Sequence, residues 1–468
     1  MEGRRCQIME PLKGHTPNAP TFVTVSTKQQ RIATLARQSP QTSFTTLAHN
    51  IDLAWLHAAY DRVRKDGAPG IDRETAASYS KNLKANLQSL LDRAKSGRYK
   101  APPVRRVHIP KGTGDKTRPI GIPTFEDKVL QRAVAMVLEP IYEHDFCDCS
   151  YGFRPGRSAH QALAMLRDQQ IATQASWILD VDIQGFFDAL EHTHLRAFLK
   201  QRVRDGVLIR LIGKWLNAGV LEAGCIQRSS TGTPQGGVIS PLLANIYLHY
   251  VLDEWFEQAV KPRMRGETFV VRYADDFIVG FCDEHDARRV MDVLPKRFSK
   301  YGLTIHPEKT RLVRFHRPPR RSGPPAGGKP QTFDFLGFTH YWKQSWRGHW
   351  AVNRKTASDR LSRSLRAVTE WCRRHRHRSV AEQHAQLSRK MRGHYAYFGL
   401  TGNIASLTQF WEGVKRIWKK WLARRSQRAF ISWPEFVRLM QRYPLPKPVV
   451  VHSVYRPQRN QDLRSRMR

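Results

Sequence analysis

The chain has 468 residues, 40% of them hydrophobic, which is enough to bury a sizeable core in two or three lobes and excludes simple disorder. Lysine and arginine total 78 against 40 acidic residues, and a net charge of +38 calls for a polyanionic partner because self-repulsion of that size needs neutralising. No apolar run approaches the roughly 18 residues of a membrane span and no apolar signal core follows Met1-Glu2-Gly3-Arg4-Arg5, so an intracellular protein is expected.

In chain order, residues 1 to 45 are rich in Ser, Thr, Pro and basic groups with little periodicity, and predict a mobile tail. Ile51, Leu53, Leu56, Ala59, Tyr60 and Val63 form the first helical pattern, which ends at the turn Asp66-Gly67-Ala68-Pro69-Gly70. Mixed helices and strands continue to about residue 312. Within them, Lys111 and Arg118 flank Gly112-Thr113-Gly114-Asp115, so a hairpin there would hold two cations where a triphosphate could dock. Arg314 to Lys329 reads as an exposed basic loop, and Phe333 to Phe338 as one short buried strand. Beyond about 350 the pattern is all-helical and basic, with Trp411, Ile417, Trp418 and Leu422 on a packing face and Lys415, Arg416, Lys419, Lys420, Arg424 and Arg425 available for the phosphates of a polyanion. An extended basic tail is expected from about Tyr443. The six cysteines are scattered, as in a reducing compartment, and Cys147 and Cys149 read as structural.

Two segments carry the chemistry. In Phe269 to Phe281, two β-prone runs flank Asp275-Asp276, the pattern of a hairpin with carboxylates at its tip. In Ser176 to Asp188, a hydrophobic strand ends at Asp182, and a helix opens after Thr193 as N-cap. Placed together, Asp182, Asp275 and Asp276 would make a site of hard oxygen ligands, suited to two magnesium ions about 3.5–4 Å apart. Gly236-Gly237 would permit a close backbone approach to substrate.

Tyr273-Ala274-Asp275-Asp276, Asp182-Ile183-Gln184-Gly185-Phe186-Phe187-Asp188 and Gly232 to Pro241 resemble, in order and spacing, the catalytic, first aspartate and template motifs of the group II intron reverse transcriptase and maturase family. Asp66 to Asp72, Ser150 to Ser158, Gly302 to Ile305 with Glu308-Lys309-Thr310, and Leu387 to Phe398 extend the likeness over roughly residues 46 to 445. The resemblance implies an α/β right-hand polymerase: fingers and palm with an antiparallel palm sheet over 46–345, a helical thumb and maturase domain over 346–442, and a tail over 443–468 without a nuclease domain. It implies RNA-templated DNA synthesis, with Asp182, Asp275 and Asp276 catalytic and Ile183 joining them at the metals. Lys111, Arg118, Phe187, Pro234, Gln235 and Gly236 would contact the incoming deoxynucleoside triphosphate, Phe187 as a wall that rejects a 2′ hydroxyl. Intron RNA, a DNA target and a primer are the implied partners, in the cytoplasm of a bacterial cell. A repair or phage-defence enzyme, or a splicing factor that has lost polymerisation, are the alternatives.

Overall fold

The computed structural model describes residues 19–110, 117–222, 225–227, 231–232, 236–318, 331–345, 348–426 and 429–453. They divide into two compact units: one of the residues up to Val107 with Pro119–Phe146 and Leu190–Tyr247, the other of His108–Arg118, Cys147–Ala189 and everything from Leu248 onward.

The first element among the described residues is helix α1 (Ala19–Gln38), within the 1–45 stretch expected as a mobile tail, whose residues 1–18 lie outside the described residues. Val25, Ile32 and Ala36 are buried, a stripe at helical spacing among polar residues, and Gln29 donates to the Met136 carbonyl at 3.0 Å. Helix α2 (Leu53–Arg62) matches the first periodic pattern, its N-cap Asp52 accepting from the Trp55 amide. Next come α3 (Ala76–Ser80), α4 (Leu83–Lys95), β1 (Val104–Pro110) and β2 (Thr117–Ile122). The long α5 (Phe125–Asp145) is capped by Thr124 and buries Val129, Leu130, Val134, Leu138 and Ile141. The backbone of Gly70 lies so close to Thr124 that a Cβ would sit 2.6 Å from its Cα. Helix α6 (Ala159–Thr173), strand β3 (Trp177–Gln184) and the single turn α7 (Phe186–Ala189) follow. Helix α8 (His192–Arg202) begins two residues before the expected position: Glu191, not Thr193, occupies the N-cap, without a side-chain bond.

Helix α9 (Gly206–Leu216), the short strands β4 (Val220–Glu222) and β5 (Cys225–Gln227), and α10 (Ser240–Leu248) complete the first half. One sheet has the order β2-β1-β4-β5. After α10 the helix continues through two widened turns, in which Glu254 N–H bonds back to His249 O and Lys261 N–H to Phe256 O, each five residues earlier.

The central sheet of the second unit is built from β3, β6 (Thr268–Tyr273), β7 (Asp276–Phe281), β8 (Thr304–Ile305) and β9 (Arg311–Arg314). Its order is β6-β7-β3-β8, with β9 also on β3, and every pairing is antiparallel. Helix α11 (Glu284–Ser299) turns Ala287, Val290, Leu294 and Phe298 inward. Phe333 to Phe338, expected as one strand, is a hairpin instead: β10 (Phe333–Phe335) and β11 (Phe338–Gln344) flank a Leu336-Gly337 turn with φ of 51° and 80°. The two positive φ values suit the right-handed twist of the strands. β12 (Trp350–Thr356) adds a third strand, so the all-helical region starts at Ser358 and not near 346.

That region comprises α12 (Ser358–Arg374), α13 (Val380–Phe398), α14 (Ile404–Leu422) and α15 (Trp433–Arg442) around Leu387, Met391, Phe410, Val414, Trp418 and Phe436. Residues 443–453 are not a free tail: Leu445 is buried, the Tyr395 hydroxyl donates to Pro446 O at 3.1 Å, and Val451 N–H and His452 N–H both reach Gly399 O at 2.8 Å. No helix among the described residues is long and apolar enough to cross a membrane.

Candidate active site

Strands β6 and β7 form a hairpin in which Tyr273 pairs with Asp276, leaving Ala274 and Asp275 as a two-residue turn. Ala274 has φ +59°, a sterically disfavoured conformation for a residue with a Cβ and one that persists where the surroundings enforce it. Gly152 supplies part of that enforcement. A Cβ there would overlap the Ala274 amide nitrogen and lie 2.9 Å from the Tyr273 carbonyl carbon. Tyr151 N–H donates to Arg272 O at 2.9 Å and Arg272 N–H to Cys149 O at 2.8 Å, so residues 149–152 run along the free edge of β6.

β3 lies on the other side of β7, with Asp182 directly opposite Asp276. The alternation of a strand puts Asp180 on the face of Asp182. Three acids thus lie at one end of the sheet, with a fourth beside them, and the titration of Asp180, Asp275 and Asp276 reflects it. Burial, then the carboxylates of Asp180, Asp275 and Asp182, push Asp276 up to about 7. Asp275 is raised by burial and by Asp182, against the pull of Arg118 and Arg272. Asp180 is pushed up to about 6 by burial, although Arg311 lies 3.2 Å away.

Asp182 is paired with Lys309, Nζ to Oδ2 at 2.6 Å. Among the described residues the three expected acids do not close into one cluster of ligand atoms within 4.8 Å; Asp283, His285 and Asp286 do. The latter group has structural work: Asp283 caps α11, and Asp286 accepts the amides of Arg265 at 2.6 Å and Gly266 at 3.2 Å. Asp182, Asp275 and Asp276 nonetheless fit a divalent cation. They are hard oxygen donors, and two of them are crowded and buried enough that the charged form is disfavoured until a cation arrives.

Ile183 pairs with Ile305 and its apolar side chain is buried, so its backbone carbonyl is the one group it could offer a metal. Phe187 is half-buried and meets buried Phe186 edge-on at 5.4 Å between centroids. Arg118 is exposed on β2. Gly236 has φ +114°, and a Cβ on it would lie 2.6 Å from Gly121 O, so the close approach is to the chain's own β2 backbone. Lys111, Pro234 and Gln235 lie outside the described residues. On α14 and just after it, Arg416, Lys420 and Arg424 are exposed. Lys420 and Arg424 also lie over the Trp421 ring, at 5.9 and 5.7 Å; the other three expected RNA contacts are half-buried, Lys415 pairing with Glu412 at 3.2 Å, Lys419 lying over the Trp433 ring at 4.9 Å, and Arg425 donating to Arg378 O at 2.6 Å.

Sequence reasoning gave no role to Lys309 or Arg272. The signal for Arg272 was present, a charge inside the apolar run Phe269-Val270-Val271-Arg272-Tyr273, which requires a buried partner.

Residues 109–340 match the family model described as reverse transcriptase (RNA-dependent DNA polymerase). Protein YkfC of Escherichia coli (strain K12) is 36% identical over 287 residues, covering 54% of this chain and 75% of that protein. The group II intron-encoded protein LtrA of Lactococcus lactis subsp. cremoris is 45% identical over 181 residues, 38% of this chain and 29% of LtrA. Nuclear intron maturase 3, mitochondrial, of Arabidopsis thaliana is 23% identical over 240 residues, 45% of this chain and 33% of that protein. The matched segment thus spans three quarters of the first relative and a third or less of the other two.

Proposed function

The chain belongs to the reverse transcriptase family, in its group II intron-encoded branch, and from that premise we propose that it copies RNA into DNA, assists its intron RNA in splicing, and primes synthesis on a DNA target. The carrying observation is the apposition of Asp182 and Asp276 across β3 and β7, with Asp275 at the adjoining turn. In this reading residues 46–345 are fingers and palm of a right hand, and the helices after Ser358 are its thumb and maturase surface. The reaction is attack of a primer 3′ oxygen on the α-phosphorus of a deoxynucleoside triphosphate. One oxygen–phosphorus bond forms, the bond to the β-phosphate oxygen breaks, and pyrophosphate leaves.

Asp182, Asp275 and Asp276, with the Ile183 carbonyl, would hold two magnesium ions. Such ions supply activation of the 3′ hydroxyl and charge stabilisation for the leaving pyrophosphate. Lys309 neutralises Asp182 and must release it for that carboxylate to serve as a ligand. Arg118, whose charge already reaches Asp275, is suited to the triphosphate, together with Lys111, and Pro234, Gln235 and Gly236 would line the nucleotide. Phe187 would stand under the sugar. The strongly basic composition suits a nucleic-acid-bound protein of the bacterial cytoplasm.

Replacing Asp275 by Ala should abolish extension of a DNA primer on an RNA template while leaving RNA affinity intact. Extension at near the parent rate would overturn the assignment.

A further inference from the structure

Arg272 and Asp253 form an ion pair in which both side chains are 0% exposed. Nε donates to Oδ1 at 2.8 Å and Nη2 to Oδ2 at 2.5 Å, the planar two-point fit that guanidinium and carboxylate allow. Nη1 points elsewhere, to the Ala274 carbonyl at 3.0 Å. That carbonyl belongs to the peptide whose nitrogen is Asp275's own, and a peptide is planar. Holding the oxygen therefore holds the plane from which the Asp275 side chain departs. Ala274 is the positive-φ residue of the turn, so this peptide is the one with least intrinsic preference for its place.

Both partners are fixed from behind. Arg272 pairs with Phe277 across the hairpin and bonds through its backbone to Cys149 and Tyr151 on the opposite edge. Asp253 closes the first widened turn after α10, in which Glu254 N–H reaches His249 O. An added residue rotates everything after it by about 100° around a helix axis, so such a turn changes which residue faces the sheet.

A pair of this kind is a poor way to gain stability, because desolvating two charges offsets most of their attraction, and apolar residues of similar volume often serve as well. Its use has to be sought in geometry. We propose that Arg272, held by Asp253, is a positioning residue for the catalytic turn: it orients the Ala274–Asp275 peptide and so the direction in which Asp275 presents its carboxylate. This deepens the reading of Asp275 as a metal-holding acid and rests on it.

The test uses the full chain and the double substitution Arg272→Met with Asp253→Leu, which removes both buried charges and the support of the Ala274 carbonyl together. The single substitution Arg272→Lys keeps a charge but cannot span carboxylate and carbonyl as the fork does. Four quantities are read: melting temperature, Mn2+ affinity by electron paramagnetic resonance, amide exchange of residues 273–276, and kcat with KM for a deoxynucleoside triphosphate. The expected result is a folded double variant whose exchange at the turn is faster, whose Mn2+ affinity is about 10-fold weaker, and whose kcat is about 100-fold lower, the scale of an ångström-sized misplacement. KM should stay within about threefold, since no nucleotide contact has been removed. Arg272→Lys should fall between it and the parent, and serves in its place if the double variant does not fold. Parent-like exchange, Mn2+ affinity and kcat in a folded variant would overturn the proposal. If the parent chain extends no primer, the polymerase reading has failed, while the exchange and Mn2+ measurements still decide the role of Arg272.

Discussion

Phe186 and Phe187 share a turn after β3, yet one is buried in the core and the other only half covered. If Phe187 is the wall beneath the sugar, Phe187→Ala should retain part of its deoxynucleotide incorporation and gain ribonucleotide incorporation. Competition between the two nucleotides in primer extension measures this, and an unchanged preference would remove Phe187 from that role. A second residue makes a prediction about pH. His340 is fully buried and stacks on Phe333 with ring centroids 4.7 Å apart. Among the described residues neither ring nitrogen has a hydrogen-bond partner, and burial, followed by the charge of Arg354, lowers its pKa to about 3. The unfolded chain binds a proton there below about 6.5 while the folded chain does not, so stability falls as pH drops from 6.5 toward 3. At pH 5 this is about 2 kcal/mol. His340→Phe should remove that share of the acid sensitivity, seen as a shallower fall of melting temperature between pH 7 and 5. At this scale the neighbouring placement of Asp182, Asp275 and Asp276 was readable in sequence because each sits at the end of a β-prone run. Their immediate partners were not, since Lys309 reaches Asp182 across 127 positions and local pattern carries no trace of such a contact.

Elements were legible where the local pattern was strong: the apolar period of α2 and the two β-prone runs that became the hairpin of β6 and β7 follow from local rules. Helix α1 was missed because its apolar stripe is thin, three buried residues between Val25 and Ala36, and its stability comes from tertiary contacts. Arg202 shows how it is tied in, donating to Ala36 O at 3.3 Å, Ser39 O at 3.0 Å and Thr42 O at 2.7 Å while paired with Asp145 at 2.7 Å. The β10–β11 hairpin was read as one strand because its turn, Leu336-Gly337, puts a leucine where a turn residue is usual. Deleting residues 1–38 should therefore act as a core truncation. Losing the burial of Val25 and Ile32 alone costs about 3 to 6 kcal/mol, and thermal melting should register it as a large drop or as insoluble protein. A parent-like melting temperature would show that α1 adds nothing.

Across the whole molecule the charge of +38 was the plainest message in the sequence, and the fold shows that it is not all equally available. Of six basic residues expected to meet RNA, only Arg416, Lys420 and Arg424 are exposed. Converting these three to Gln should reduce the salt dependence of RNA binding by about 0.7 to 0.9 per lost phosphate contact, with the melting temperature unchanged. Changing Lys415, Lys419 and Arg425 should instead lower stability more than affinity. Salt titrations of RNA binding beside melts of the same proteins separate the two, and equal effects from both sets would deny the distinction.

The strip after α15 has a mechanical consequence. Its links to the end of α13, Val451 and His452 on Gly399 and Thr401 N–H on His452 O, lie next to one another along the strip, and the imidazole of His452 stacks on His160 at 3.6 Å. Pulled from beyond residue 453, these contacts would be loaded one after another, like a zip opened from its end, and would part at low force. Leu445 and the Tyr395–Pro446 bond would follow, exposing the helical core at its seam before any strand of the central sheet was strained.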